Sequence, residues 1–241
     1  MKVVILAAGM GLRLGRQTEK IPKCLISVNG KTILDRMVQN CLSIGVNDFV
    51  CVVGHGKHSM LKKIAELGSN YSIKITAKEN TEYRVTNTGV SLAIALRDID
   101  EDALIINGDN IFDRGILQGL LKSTMTAIVV DRHKVLTDES FKLRINGNFI
   151  GRMGKNVPID QATGEFIGIS LIRRDDLGLF KRILSDLIRN RNVYYDFAFQ
   201  ELSTIGRVSF VFTDGHQWTE VDNYDDLVLA SKVVKELDAT S

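Results

Sequence analysis

The sequence predicts an α/β protein: a three-layer, doubly wound sheet that is mixed but mainly parallel, with a small antiparallel extension. Three observations lead there. Short apolar runs that end in glycine alternate with stretches of helical period through the first 110 residues or so. Beyond about residue 125, apolar segments follow one another with a hairpin signal between them. Only two prolines occur, and no Ser/Gly/Pro-rich stretch interrupts the pattern. A chain of 241 residues exceeds the usual single-core size, yet one continuous sheet of this class accommodates it, so residues 1–241 are read as one domain.

The elements follow in order. Val3 to Ala8, closed by Gly9, reads as a buried parallel strand that ends in a turn. Ile33, Leu34, Met37, Val38, Cys41 and Leu42 share one face of a helix over residues 32–44, with Gly45 at its C-terminal cap. Residues 49–53 form a second strand, 60–67 a helix ending at Gly68, and 71–75 a third strand. A helix over 89–96 precedes the apolar strand 103–106, which runs straight into Asn107-Gly108-Asp109. Strands over 126–130 and 141–145 come next, with Asn146-Gly147 offering a type I′ turn before Phe149. Strands over 165–172 and 208–212 and helices over 177–188 and 197–202 complete the extension, and a last amphipathic helix starts at Asp222 or Asn223.

Composition narrows the function. Hydrophobic residues at 44% and charged residues at 25% are the balance of a globular protein. Thirty-one Lys and Arg against 29 Asp and Glu leave a net charge of +2. That supplies no global field for nucleic acid or anionic lipid, so any anion site must be local. Cys24, Cys41 and Cys51 are odd in number and form no CxxC pair, which argues against a disulfide framework and a zinc site and suits a reducing compartment. His55, His58, His133 and His216 lack zinc-ligand spacing. The run from Val3 to Ala8 is too short for a signal core or a spanning helix, so the expected location is the cytoplasm, with no membrane partner.

Chemistry concentrates where strands end. Gly9-Met10-Gly11 after the first strand lets backbone N–H groups approach a phosphate chain, and Arg13 adds a fork of donors; a plain tight turn is the alternative. Gly9, Gly11 and Gly15 miss the GxGxxG spacing, and Gly30-Lys31-Thr32 has Leu25 where a P-loop needs glycine, so neither a dinucleotide fingerprint nor a Walker A loop is present. Lys23, ten residues past Arg13, is either a second phosphate cation or a solvated loop lysine.

Leu6-Ala7-Ala8-Gly9-Met10-Gly11-Leu12-Arg13-Leu14, then Pro22-Lys23-Cys24-Leu25, then Gly30-Lys-Thr-Ile-Leu34, resembles the opening signature of the sugar-phosphate nucleotidyltransferases. The resemblance implies a Rossmann-like nucleotidyltransferase fold whose glycine loop wraps a nucleoside triphosphate, with Arg13 and Lys23 on its phosphates. Leu12 stands where the family usually has Ser or Thr, so a hydroxyl contact is lost there. Asn107-Gly108-Asp109 resembles the family's metal-binding aspartate, and Glu220-Val-Asp222 its second ligand. By that likeness Asp109 and Asp222 hold Mg2+, which suits a site of few carboxylates plus substrate phosphate oxygens; taken alone, Asp109 could be a turn residue and Asp222 a helix N-cap.

Among the shorter relatives, the chain is most similar to the phosphocholine and aminoethylphosphonate cytidylyltransferases, with the inositol-1-phosphate cytidylyltransferase domain also near. Asn80...Asn87...Ser91 is similar to their pattern and implies contacts to base, nucleotide or acceptor; Gly164-Glu165-Phe-Ile-Gly-Ile-Ser170 resembles their acceptor strand. Tyr83, Phe166, Tyr194, Tyr195 and Trp218 are candidates for an aromatic cage around a quaternary ammonium, or are core filler. Glu165 or Asp196 could instead hold a primary amine, and Glu220 is also expected among the substrate-binding residues. The expected reactants are CTP and a small phosphorylated or phosphonate acceptor, with Mg2+ as cofactor; a homodimer is allowed. The alternatives are an NDP-sugar or inositol-1-phosphate nucleotidyltransferase, a glycosyltransferase of the D-x-D type, against which Asn107 counts, and a nucleotide-sensing subunit without catalysis.

Overall fold

Alternation along one buried strand sets up both faces of the molecule. In β1 (Lys2–Ala7), Val3, Ile5 and Ala7 enter one core and Val4 and Leu6 the other, as period-two side chains of a sheet covered on both sides must. The computed structural model describes residues 1–19, 21–147 and 149–239.

In chain order, β1 is followed by β2 (Ser27–Val28) and β3 (Lys31–Thr32), α1 (Ile33–Ser43), β4 (Asp48–Val53), α2 (Lys57–Tyr71), β5 (Lys74–Glu79), α3 (Thr88–Leu96) and β6 (Ala103–Asn107). Then come β7 (Asn110–Phe112), α4 (Arg114–Leu121), β8 (Thr126–Asp131), β9 (Lys142–Asn146), β10 (Phe149–Met153) and β11 (Gly164–Ile172). The chain closes with α5 (Arg174–Leu187), α6 (Asp196–Ser203), β12 (Val208–Phe212), β13 (Trp218–Glu220) and α7 (Tyr224–Ala239).

Among the described residues the main sheet runs β12-β8-β11-β6-β1-β4-β5, with the β9–β10 hairpin joined to the first residues of β11. β1 pairs in parallel with both β4 and β6, and β4 with β5; β11 runs antiparallel to β6 and β8. One core lies under α1, α2, α4 and α7, the other under α3, α5 and α6, which gives three layers. The mixed, mainly parallel sheet agrees with the expected fold class.

Several boundaries differ from expectation. The strand expected over 71–75 is β5, three to four residues later, because α2 continues to Tyr71. Gly68 is not the end of that helix: its carbonyl accepts the N–H groups of Ser72 and Ile73. The β9–β10 hairpin forms, with Asn146 opposite Phe149; the turn type expected there involves a position outside the described residues. α1 begins one residue after Thr32, whose hydroxyl accepts from the Asp35 N–H while the Asp35 carboxylate accepts from the Thr32 N–H, a reciprocal cap.

Candidate active site

The site lies at the carboxyl ends of β1 and β6, where parallel α/β sheets form ligand crevices. β1 delivers Leu6, Ala7 and Ala8 and then turns through Gly9, Met10 and Gly11. Gly11 has φ of 61°, a left-handed conformation that favours glycine. The Thr18 hydroxyl donates to the Gly11 carbonyl at 2.7 Å and ties the far end of the loop back onto it. β6 delivers Asn107, Gly108 and Asp109. The Gly108 N–H donates to the Leu6 carbonyl at 3.0 Å, and a Cβ at Gly108 would lie 2.6 Å from that oxygen. Only glycine lets the two strand ends come this close.

Asp222 reaches Asp109 through a small second sheet. β7 follows Asp109 directly and pairs antiparallel with β13, Asn110 opposite Glu220, and the Val221 N–H donates to the Asp109 carbonyl at 3.1 Å. Asp222 does not cap the last helix. Asn223 does, accepting from the Asp226 N–H at 3.0 Å while the Asp226 carboxylate accepts from the N–H groups of Asp222 and Asn223. The Asp222 side chain is thereby left to face the site.

There it meets two cations. The Lys23 ammonium contacts Asp109 Oδ2 at 3.0 Å and also Asp222 Oδ1, and the Arg13 guanidinium contacts Asp222 Oδ2. One ammonium touching both carboxylates brings them within about two hydrogen-bond lengths, ~6 Å, of each other. Burial works against the charge on Lys23, but Asp109 and Asp222 outweigh it and hold its pKa above the ordinary lysine value. Burial alone would raise the pKa of Asp222, yet Lys23 and Arg13 keep it below the ordinary range. Glu220 has no such partner: burial, then the negative charges of Asp109, Asp222 and Glu165, raise its pKa well above the carboxylate range.

A divalent cation is chemically suited to this pair. Asp109 Oδ1 is buried without a hydrogen-bond partner, an oxygen with unused acceptor capacity. The donors are all oxygens, as a hard cation requires. Among the described residues no group of three or more His, Cys, Asp and Glu side chains forms a ready-made metal cage, so further ligands would have to come from water and substrate.

The other expected residues divide. Leu6, Ala7, Gly9, Gly11, Lys23, Gly108 and Asp109 line one recess of about 160 Å3 together with Cys24, Thr88 and Asn107. Met10 faces a neighbouring recess with His55 and Arg84, and its sulfur accepts from Arg84 at 3.8 Å; the Ala8 carbonyl accepts from the His55 N–H. Leu12 is 75% exposed. Asn80 is buried and its amide donates to Thr86 and Ser91, each at 3.0 Å, while its oxygen accepts from the Glu82 N–H; Asn80 and Ser91 therefore organise the 80–88 loop. Asn87 caps α3, accepting from the Thr88 N–H at 2.8 Å, which brings the first turn of α3 to the recess.

Of the residues expected at the acceptor, Glu165 is buried opposite Asp131, and burial raises its pKa. Trp218 is buried with its indole N–H unpartnered and the Lys134 ammonium 3.5 Å above its ring. Tyr194 packs edge-on against Phe141, not against the aspartates, with ring centres 5.8 Å apart. Asp196 is buried in the first turn of α6, and burial pushes it up to about 7. Tyr195, one of the aromatic candidates, is core: its ring is fully buried and its hydroxyl donates to Asn107 Oδ1 at 3.1 Å. Lys134, in a polar loop, was not singled out from sequence.

A glycine-lined bend, two cations and two aspartates at the carboxyl ends of a parallel sheet define a nucleotide-handling α/β protein. The sequence profile of the nucleotidyl transferase family matches residues 2–130, and the chain belongs to that family. It is 25% identical over 97% of its length to the bifunctional IPC transferase and DIPP synthase of Archaeoglobus fulgidus, of which it covers 44%. It is 30% identical to the choline-phosphate cytidylyltransferase of Streptococcus pneumoniae over 53% of each chain. The chain spans about half the length of these curated relatives. The inositol-1-phosphate CTP transferase of T. maritima has the same fold, with a TM-score of 0.80 at 20% identity, covering 96% of this chain and 95% of the other. Among the described residues no helix is long and apolar enough to cross a membrane.

Proposed function

We propose that residues 1–241 act as one Mg2+-dependent cytidylyltransferase domain that transfers CMP from CTP to a small phosphorylated or phosphonate acceptor and releases pyrophosphate. The observation that carries this reading is the meeting of Asp109 and Asp222 on one ammonium group beside the glycine bend. The choice of CTP rests on the cytidylyltransferases among the relatives.

The acceptor is already an anion at neutral pH, so one of its oxygens can attack the α-phosphorus without a protein base. The P–O bond to the β-phosphate breaks as the new one forms, and the electron pair leaves with pyrophosphate. What this chain supplies is position and neutralisation. Backbone N–H groups of residues 9–11 face the phosphate chain. Lys23 and Arg13, which neutralise the carboxylates in the free site, turn to the triphosphate oxygens and stabilise the charge that builds on the leaving group. A Mg2+ ion held by Asp109 and Asp222 supplies further charge neutralisation when bound. Gly108 holds the two strand ends, and with them the distance between the bend and Asp109.

The test is pyrophosphate release over a matrix of CTP, UTP, dTTP and ATP against phosphocholine, 2-aminoethylphosphonate, inositol 1-phosphate and glucose 1-phosphate. Release with CTP and an amine-bearing acceptor, lost by a factor of about 100 or more in Asp109→Asn and Asp222→Asn, supports the proposal; full activity in either variant ends it.

A further inference from the structure

Asp109 is aimed by its backbone. One of its carboxylate oxygens meets Lys23, and the other has no hydrogen-bond partner among the described residues. The direction of the side chain therefore follows from how the Asn107-Gly108-Asp109-Asn110 turn is held. β1 holds it through the Leu6 carbonyl, which accepts from the Gly108 N–H, and the Val221 N–H holds it by donating to the Asp109 carbonyl. The third neighbour is β11, which grips the turn through a bulge.

β11 pairs with β6 from Ile172 opposite Ala103 to Ile169 opposite Ile106. Gly168, the next residue along, leaves this ladder with a φ of 74°, and the register of β11 against β8 shifts over the same stretch, between Phe166 and Ser170. Two asparagine side chains meet the bulge. The Asn107 carboxamide packs on Gly168, where a Cβ would stand 2.4 Å from its nitrogen, while its oxygen accepts from the Tyr195 hydroxyl at 3.1 Å. The Asn110 nitrogen donates to the Ile167 carbonyl at 2.6 Å. Asn107 and Asn110 flank Gly108 and Asp109, so consecutive residues of one bulge hold both ends of the turn that carries the carboxylate. Asn110 is 1% exposed, and its oxygen has no hydrogen-bond partner among the described residues. A buried carboxamide with one orphan end costs stability; what it contributes is position.

We propose that the bulge at Gly168, gripped by Asn107 and Asn110 and steadied by Tyr195, is a positioning device for Asp109, and that by fixing this carboxylate it selects Mg2+ over Ca2+ at the Asp109–Asp222 pair. Mg2+ demands near-ideal octahedral geometry at short range, whereas Ca2+ tolerates looser and larger sets of oxygens. A ligand free to drift therefore loses the smaller ion first. Groups that orient a metal ligand set its affinity by about 10–100-fold, which is the scale expected of the two asparagines. The place of the cation rests on the transferase reading, but the test reads binding and needs no turnover.

Equilibrium dialysis measures the affinity for CTP with Mg2+, with Ca2+ and with EDTA in wild type, Asn110→Ala and Tyr195→Phe. Asn110→Ala releases the Ile167 carbonyl. Tyr195→Phe frees the Asn107 oxygen while keeping the ring in the core, and carries the test by itself should Asn110→Ala fail to fold. In each variant the Mg2+-supported affinity falls about tenfold, ~1.4 kcal/mol, while the Ca2+-supported and metal-free affinities stay within about twofold of wild type. A Mg2+-to-Ca2+ ratio that is unchanged in either folded variant, whether because nothing weakens or because all three affinities fall together, overturns the proposal. Wild type that gains nothing from Mg2+ over EDTA ends this proposal and the transferase reading together; a wild-type gain with unchanged ratios in the variants ends this proposal alone.

Discussion

Replacing Lys23 by methionine removes one ammonium from between two carboxylates while keeping a side chain of similar length. At 3.0 Å from Asp109 Oδ2, each such contact is worth roughly 5 kcal/mol of attraction at an effective dielectric of 20. Most of that is offset by the cost of taking the charges out of water. The side chains of Lys23, Asp222 and Asp109 retain 16%, 22% and 25% exposure, which puts the loss at the lower end of the range for breaking a buried pair, about 3 kcal/mol. For a chain of this size that lowers Tm by about 6–12 °C. The variant leaves Asp109 without a cation and Asp222 with Arg13 alone, so Mg2+ binds them more readily than in wild type, where it must displace the lysine. Thermal unfolding with and without 10 mM Mg2+ reads both effects: a large drop in Tm without metal, and a recovery of several degrees with it that wild type does not share. A loss below about 1 kcal/mol, or the same Mg2+ response in both proteins, would refute the reasoning.

Three further outcomes follow from the same geometry. Gly108→Ala drives a Cβ to within 2.6 Å of the Leu6 carbonyl; it should cost about 1–3 kcal/mol in urea unfolding and depress turnover by moving Asp109. Asp196, with its folded pKa raised to about 7 from 3.8, contributes stability that is full below its unfolded pKa and is lost as pH rises through the folded value. Asp196→Asn should therefore become more stable than wild type as pH rises from 5 to 8, by about 2–4 kcal/mol, in denaturation at both pH values. Tyr195→Phe removes the hydroxyl that donates to Asn107 at 3.1 Å; it should lose about 1 kcal/mol of stability and raise KM for the nucleotide more than it lowers kcat.

Much of the catalytic half is legible along the chain because it is local. The run from Val3 to Ala8 closed by Gly9, and the run from Ala103 to Ile106 closed by Asn107-Gly108-Asp109, each announce a buried strand and the turn that ends it. The convergence is not local. Asp222 reaches Asp109 through β7 and β13, three residues each, too short for any periodicity to register. α4, which follows β7, escaped notice because Gly115 and Gly119 dilute its helical signal; its apolar stripe of Ile116, Leu117 and Leu120 is clear only against the core it packs on. β5 was displaced because Gly68 looks like a helix end and the strand alternates partly exposed residues with few apolar ones. Lys134 is the extreme case: a lysine in a polar loop carries no mark of the ring beneath it, since what distinguishes it is the fold of Trp218 some eighty residues away.

The most direct test of the central claim is the anomalous scattering of Mn2+ in crystals grown with CTP. A single strong peak bridging Asp109 and Asp222 beside the triphosphate is the result predicted. A peak away from both carboxylates, or a bound nucleotide whose metal contacts neither, would contradict it.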